Sequence, residues 1–407
     1  MVSTPESRPP GVLYPPVAEQ AKPPPLGDQG ARRSPRVAFL YTWGRLSRLS
    51  SLREVPSDFF YGGLELRDRG WNIDMLEEEE LGIRPPRAAV RWLGRSLQRA
   101  LEANPARIAR LARPSALRRL NQYDAIVATN QHTAVDISAL RSAGLLRPHL
   151  LALIMGLIPL PPRGAREAFM LRRLLRRTTV TAISKGEQDY VRRRLGSGVD
   201  VRYVPFGVDH HFWRPGARDD ASPYVISVGN DGNRDFDLLV RTWKPEWPEL
   251  RIITRRTIDS SKPNINVIRG DYRDEIMTDA AMRQHVQGAM FAIVPVRDTA
   301  QPSGQSAGLQ AMACGIPLVI SNIVGIWDRD IMRHGATCLL PAAGSETAMA
   351  ECVAQLLASP ALRESLGQAA RAAVETHFNA QLMGDELGKL ITELCATQAS
   401  PNLRARL

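Results

Sequence analysis

A chain of 407 residues with 44% hydrophobic and 23% charged residues is too long for one ordinary core and apolar enough to fold as two domains of roughly 150–200 residues each. Its net charge of +11 favours an anionic partner, whether phosphate groups, nucleic acid or an acidic membrane face. No stretch reaches the roughly 18–20 apolar residues of a bilayer span; the apolar segment 149–160 is too short and runs into Pro159, Pro161 and Pro162. The first residues lack the continuous apolar run of a secretory signal. Cys314, Cys338, Cys352 and Cys395 have the spacing of neither a disulfide framework nor a zinc site, so buried thiols in a reducing, cytoplasmic compartment are expected.

Residues 1–35 are proline-rich, with Pro9-Pro10, Pro15-Pro16 and Pro23-Pro24-Pro25 and few large apolar side chains. They read as a disordered tail, with a proline-rich ligand for another protein as the alternative. Short apolar runs follow at 37–41, 72–76, 125–128, 150–155 and 180–183, with helical patterns between several of them. This alternation predicts a parallel sheet covered on both faces. A second series has strands at 224–228, 251–254, 265–268, 290–294, 318–321 and 338–340. Its helices are expected at 235–241, 306–314, 346–358, 360–376 and 380–396. The fold class is therefore α/β, with two Rossmann-like domains at 36–205 and 206–379 and a C-terminal helix and tail at 380–407 packing back towards the first. Open parallel sheets bind ligands beyond the carboxyl ends of their strands, so two of them facing each other make a cleft.

The most informative segment runs from Pro302 through Ser303, Gly304, Gln305 and Ser306 to Gln310, then Gly315, Pro317 and Ser321. A small polar loop enters a short helix, Gly315 can stop that helix in a left-handed conformation, and Pro317 opens a strand. Free N–H groups at the helix start and the close approach allowed by Ser303 and Gly304 suit a diphosphate. An ordinary loop–helix–strand connection has the same composition.

Gln310-Ala311-Met312-Ala313-Cys314-Gly315-Ile316-Pro317-Leu318-Val319-Ile320-Ser321 resembles the donor-site signature Glu-Ala-Met-Ala-x-Gly-x-Pro-Val-Val-x-Ser of glycosyltransferase family 4, retaining enzymes with the two-domain GT-B fold. Ile183-Ser184, Val204-Pro205-Phe206-Gly207-Val208-Asp209 with Phe212 and Pro215, Ile226-Ser227-Val228-Gly229 with Arg234-Asp235, and the stretch from Gly325 to Leu340 resemble further family elements in the family's order. The resemblance spans roughly 36–394, strong in the second half and faint in the first. It implies sugar transfer from a nucleoside-diphosphate sugar to a hydroxyl acceptor (a glycan, a lipid-linked or a small-molecule acceptor), with retention, without a metal and without a cofactor beyond the donor. The alternative is a protein that keeps the fold and binds nucleotide sugar or glycan with little or no turnover.

By this resemblance the donor would meet Gly229, Asn230, Arg234, Ser303, Gly304, Gln305, Ser306 and Gln310. Arg234 would hold and stabilise the departing phosphate, in place of the family's usual lysine. Gln310 stands where the family has its ribose-binding glutamate and can still bond hydroxyls; Pro302 stands where the family has a second acid. Asn230 replaces a frequent arginine. In the first domain, His132 is the candidate polar group at the reaction centre, with a surface or structural histidine as the alternative. Thr42, Trp43, Gly44, Tyr61 and Asn130 are candidates for the acceptor side of the cleft, although the stretch 60–63 serves core packing equally well.

Asp328-Arg329-Asp330 has the form of an Asp-x-Asp metal motif but lies in a variable stretch, and no metal site is expected. Between 84 and 119 arginines dominate, and Arg87, Arg91, Arg95 and Arg99 recur every four residues on one flank of a predicted helix. This pattern fits a helix on an anionic membrane surface, which would make the protein peripheral at the inner face, and equally the solvated face of a core helix. The basic helices lack the interleaved aromatics of a single-strand platform, so nucleic acid is not an expected partner.

Overall fold

Every described strand pairs in parallel with its neighbours. The computed structural model describes residues 34–42, 44–51, 55–82, 102–217, 222–270 and 277–398; the proline-rich tail, Trp43 and the stripe Arg87, Arg91, Arg95 and Arg99 lie outside them. The first sheet contains β1 (Val37–Tyr41), β2 (Ile73–Glu77), β3 (Ala125–Ala128), β4 (His149–Ile154), β5 (Thr179–Ala182) and β6 (Asp200–Tyr203), in the order β2-β1-β3-β4-β5-β6. The second contains β7 (Tyr224–Val228), β8 (Glu249–Thr254), β9 (Ile265–Arg269), β10 (Ala292–Val294) and β11 (Leu318–Ile320), in the order β11-β10-β7-β8-β9. The chain leaves β7 towards β8 and β9 on one side and returns to β10 and β11 on the other, so the strand order reverses between β7 and β10.

Burial explains the unbroken apolar strands. All five residues of β1 are buried; Val37, Phe39 and Tyr41 face Phe60 and Leu64, while Ala38 and Leu40 face Leu111 and Leu120. A strand buried on both faces favours a near-continuous apolar run, and the Tyr41 hydroxyl is satisfied by the carbonyl of Phe60 at 2.8 Å. The second sheet repeats the division, with Ile226 on one face and Val225 on the other beside Trp243. One apolar cluster runs without a break from Phe39 and Tyr61 through Phe206 and Trp213 to Trp327 and Phe378, and so joins the two sheets. Helix starts carry their own acceptors: Ser184, Ser345 and Ser359 accept from the amides of Glu187, Ala348 and Leu362, each cap being worth about 1 kcal/mol. The helix Ala380–Gln398 lies along Gly63–Asp68, where Arg69 pairs with Asp385.

Two strand expectations need correction. Residues 338–340 form no strand: Leu339 makes a single parallel bridge to Val319, bonding Leu318 and Ile320 across the edge of β11. A second isolated bridge, Ala342 to Asn322, continues the alignment beyond β11, and Cys338 bridges His334 locally, so the contacts stay too broken to form a strand. Conversely β6 forms without an apolar run; Asp200 and Arg202 pair with each other at the exposed edge, and only Val201 is buried. Among the described residues no helix is long and apolar enough to cross a membrane.

Candidate functional site

A cavity of about 340 Å³ opens beyond the carboxyl ends of β4, β5, β7 and β10, at the point where the order of the second sheet reverses. Gly229, Asn230 and Arg234 border it from the loop after β7, and Gln301, Pro302, Ser303, Gly304, Gln305, Ser306, Ala307 and Gln310 from the loop and helix after β10. Phe59, Tyr61, Met155, Ile183, Phe206 and Trp213 close the other side.

Arg234 is 3% exposed, and two of its nitrogens, Nε and Nη1, have no hydrogen-bond partner. Its nearest carboxylate, Asp231, is 3.5 Å from Nε. Burial pushes the guanidinium below its ordinary value. Two glycines make room for it: a Cβ on Gly229 would fall 2.0 Å from Nε and one on Gly304 2.4 Å from Nη1. Gly304 also has a φ of +83°, a left-handed conformation that side chains resist, and it opens the helix Gln305–Ala313 with no side-chain cap. First-turn amides of that helix have no intrahelical acceptor, so a buried cation and a positive helix end lie together. At the other end the helix stops as its sequence predicts, with Gly315 at φ +71°.

Polar side chains fix the surrounding loop. Asn233 donates to Ser303 Oγ at 2.8 Å and to Gln301 Oε1 at 3.2 Å. Gln305 Nε2 donates to the carbonyl of Ile183 at 2.9 Å, tying the loop to the first sheet, while its buried Oε1 has no partner. Asn230 Oδ1 accepts from Thr254 and from the amide of Arg255, so its carbonyl braces the end of β8. Asp58 is 1% exposed and accepts from the amide of Asp209, the indole of Trp213 and Nε2 of Gln310. Arg48 pairs with Asp279, a cavity residue of the second half.

The expected donor residues Gly229, Asn230, Arg234, Ser303, Gly304, Gln305, Ser306 and Gln310 and the expected cleft residue Tyr61 therefore share one cavity. Thr42, Gly44, Asn130 and His132 do not line it. Asn130 caps its helix, accepting from the amides of His132 and Thr133, which turns its side chain into the first turn. His132 is exposed on that same turn. Asp58, Asn233, Arg255, Gln301 and Trp213 went unnoticed in the sequence; an acid followed by Phe59, Phe60 and Tyr61 was the available signal for Asp58. Asp328 and Asp330 both engage Lys185, at 2.8 and 3.0 Å. The thiols of Cys314, Cys338 and Cys352 are buried and Cys395 is half-buried, all four free.

Glu187 supports the rim from below. Its Oε1 accepts from the amides of Gly156 and Leu157, just past β4, and its Oε2 is buried without a partner. Burial outweighs those two amide bonds and raises its pKa from 4.5 to about 7. The folded chain thus keeps a proton there that the unfolded chain releases. That contribution to stability is full below about pH 4.5 and is lost as pH rises through about 7. Glu187→Gln, which keeps the oxygen for both amides, should flatten the fall of Tm across that window; an unchanged slope in a thermal scan series would show that Glu187 is ionised in the folded protein.

Comparison with known proteins places this geometry. Residues 223–359 match the family model described as "Glycosyl transferases group 1". This stretch is similar to the domain of that family. It carries β7 to β11 together with Arg234, the 301–307 loop and Gln310. The N-acetyl-alpha-D-glucosaminyl L-malate synthase of Bacillus anthracis is 34% identical over 73 residues, a match that spans 18% of this chain and 19% of that protein. Among solved structures, sucrose-phosphate synthase from Thermosynechococcus elongatus superposes with a TM-score of 0.65 at 17% identity, covering 89% of this chain and all (100%) of that one. Anabaena HepE in complex with UDP superposes with a TM-score of 0.60 at 13% identity, covering 88% and 100%. At these identities the likeness is one of architecture: the chain has the two-domain GT-B fold.

Proposed function

We propose that this protein transfers a sugar from a nucleoside-diphosphate sugar to a hydroxyl acceptor, with the donor in the cavity between the two sheets. The carrying observation is Arg234: a buried guanidinium with two unpartnered nitrogens, held by two glycines beside an uncapped helix start. A buried donor without an acceptor is costly, and a diphosphate supplies the acceptors and the charge. The same groups act on chemistry. Negative charge grows on the departing phosphate as the sugar leaves. Arg234 and the first-turn amides near Ser306 border that place in the folded chain, so little reorganisation is needed. The reading is supported by HepE, which has been solved with UDP and with UDP-glucose. Retention and independence of metal belong to the proposal through the family resemblance; in it the departing phosphate itself helps to remove the acceptor's proton, and closure of the two halves limits hydrolysis.

One observation favours binding without turnover. Pro302 borders the cavity and brings no polar side chain to a place where the family has an acid. Incubating the protein with each of a panel of nucleotide sugars, followed by phosphorus NMR, separates the readings. Release of nucleoside diphosphate, by slow hydrolysis or by transfer, is the expected result. Binding without any release would leave the protein a nucleotide-sugar receptor.

A further inference from the structure

Resting on that donor-site reading, we infer that Asp58, from the first half of the chain, is a positioning residue that fixes the amide of Gln310 so that its oxygen faces the ribose of the donor. Asp58 Oδ1 accepts from the backbone amide of Asp209 at 2.5 Å. Its Oδ2 accepts from Trp213 Nε1 at 2.9 Å and from Gln310 Nε2 at 2.8 Å. A backbone amide and an indole can only donate, so with Asp58 ionised both carboxylate oxygens serve as acceptors. The third partner must then donate as well. Gln310 can do so only through Nε2, which turns its Oε1 to the cavity it lines.

The result imitates a glutamate. A ribose hydroxyl needs an acceptor, and here a polarised amide oxygen supplies it while the negative charge sits one side chain further back. Asp58 and Gln310 are 252 positions apart, so the ribose acceptor is complete only when both halves of the chain are in place. Burial raises the Asp58 carboxyl to about 7, opposed by the bonds from Asp209, Gln310 and Trp213; those three donors are what keep so dry a carboxylate useful.

Calorimetry tests the relay with whichever of ADP, CDP, GDP and UDP binds the parent most tightly, and with its 2′,3′-dideoxy analogue. Asp58→Asn cannot face three donors at once, so it should weaken the ribonucleotide roughly tenfold and leave the dideoxy analogue unchanged. Gln310→Glu alone sets two carboxylates against each other and should bind the ribonucleotide poorly. The double variant Asp58→Asn/Gln310→Glu relieves that repulsion, because the introduced amide can donate to the new carboxylate, and should bind the ribonucleotide more tightly than Gln310→Glu alone. Equal loss for both ligands in Asp58→Asn, or no recovery in the double variant, overturns the relay while the donor site stands. If Asp58→Asn fails to fold, the comparison of Gln310→Glu with the double variant decides by the same criterion. If none of the diphosphates binds the parent, the donor site and the relay fall together.

Discussion

Arg234→Met should make the ligand-free protein harder to unfold and deprive it of most of its affinity for nucleoside diphosphates. The guanidinium is buried, its pKa lowered by desolvation, and among the described residues its ion-pair partner is the partly exposed Asp231 at 3.5 Å. An apolar side chain of similar length removes that cost; comparable replacements of buried ionic groups are neutral or stabilising by about 1–4 kcal/mol. The same change removes a charge-assisted contact to phosphate, worth about 1.5–3 kcal/mol, or roughly tenfold to a hundredfold in affinity. Thermal scans and calorimetry on one preparation read both effects. Opposite signs are the expected signature of a residue kept for its ligand. A fall in Tm together with unchanged affinity would mean that Arg234 serves the fold.

Gly304→Ala should harm both properties. The backbone there is left-handed at φ +83°, and a Cβ would fall 2.3 Å from Val294 Cγ1 and 2.4 Å from Arg234 Nη1. The conformation alone costs about 1–2 kcal/mol for a side-chain-bearing residue. The contacts add displacement of the guanidinium and of the first helical turn, so the diphosphate should bind at least tenfold more weakly, in line with the loss of a charged contact. Gly335→Ala is the control: its φ is +73° and nothing lies within 4 Å of the new Cβ. It should share the conformational cost and bind diphosphate like the parent. Equal binding by the two variants would remove Gly304 from the site.

What the sequence reveals is mostly local. The apolar runs of β1, β3 and β7 are legible because strands buried on both faces are nearly all apolar; the buried Ser227 of β7 is satisfied by the carbonyl of Ile293. The donor loop is legible because small residues, Gly315 and Pro317 fix a loop, a helix end and a strand start within a few positions. Edge elements are less so: β6 alternates charged and uncharged residues over only four positions, and residues 338–340 look like a strand but make only isolated bridges. Long-range pairings are invisible in principle. Nothing near Gln310 announces that its amide is held by Asp58 from the other half, or that Arg48 reaches Asp279. His132 and Asn130 follow β3 at a helix start, and that start uses the Asn130 side chain as its cap.

The most direct test of the account is an affinity ladder on the unmodified protein: nucleoside, nucleoside monophosphate, nucleoside diphosphate and nucleotide sugar, titrated by calorimetry at one ionic strength. With Arg234 and the uncapped helix start as the binding centre, affinity should rise at least tenfold from nucleoside to diphosphate, and the nucleotide sugar should bind in competition with the diphosphate. Equal affinity for nucleoside and diphosphate, or simultaneous binding of diphosphate and nucleotide sugar, would contradict it.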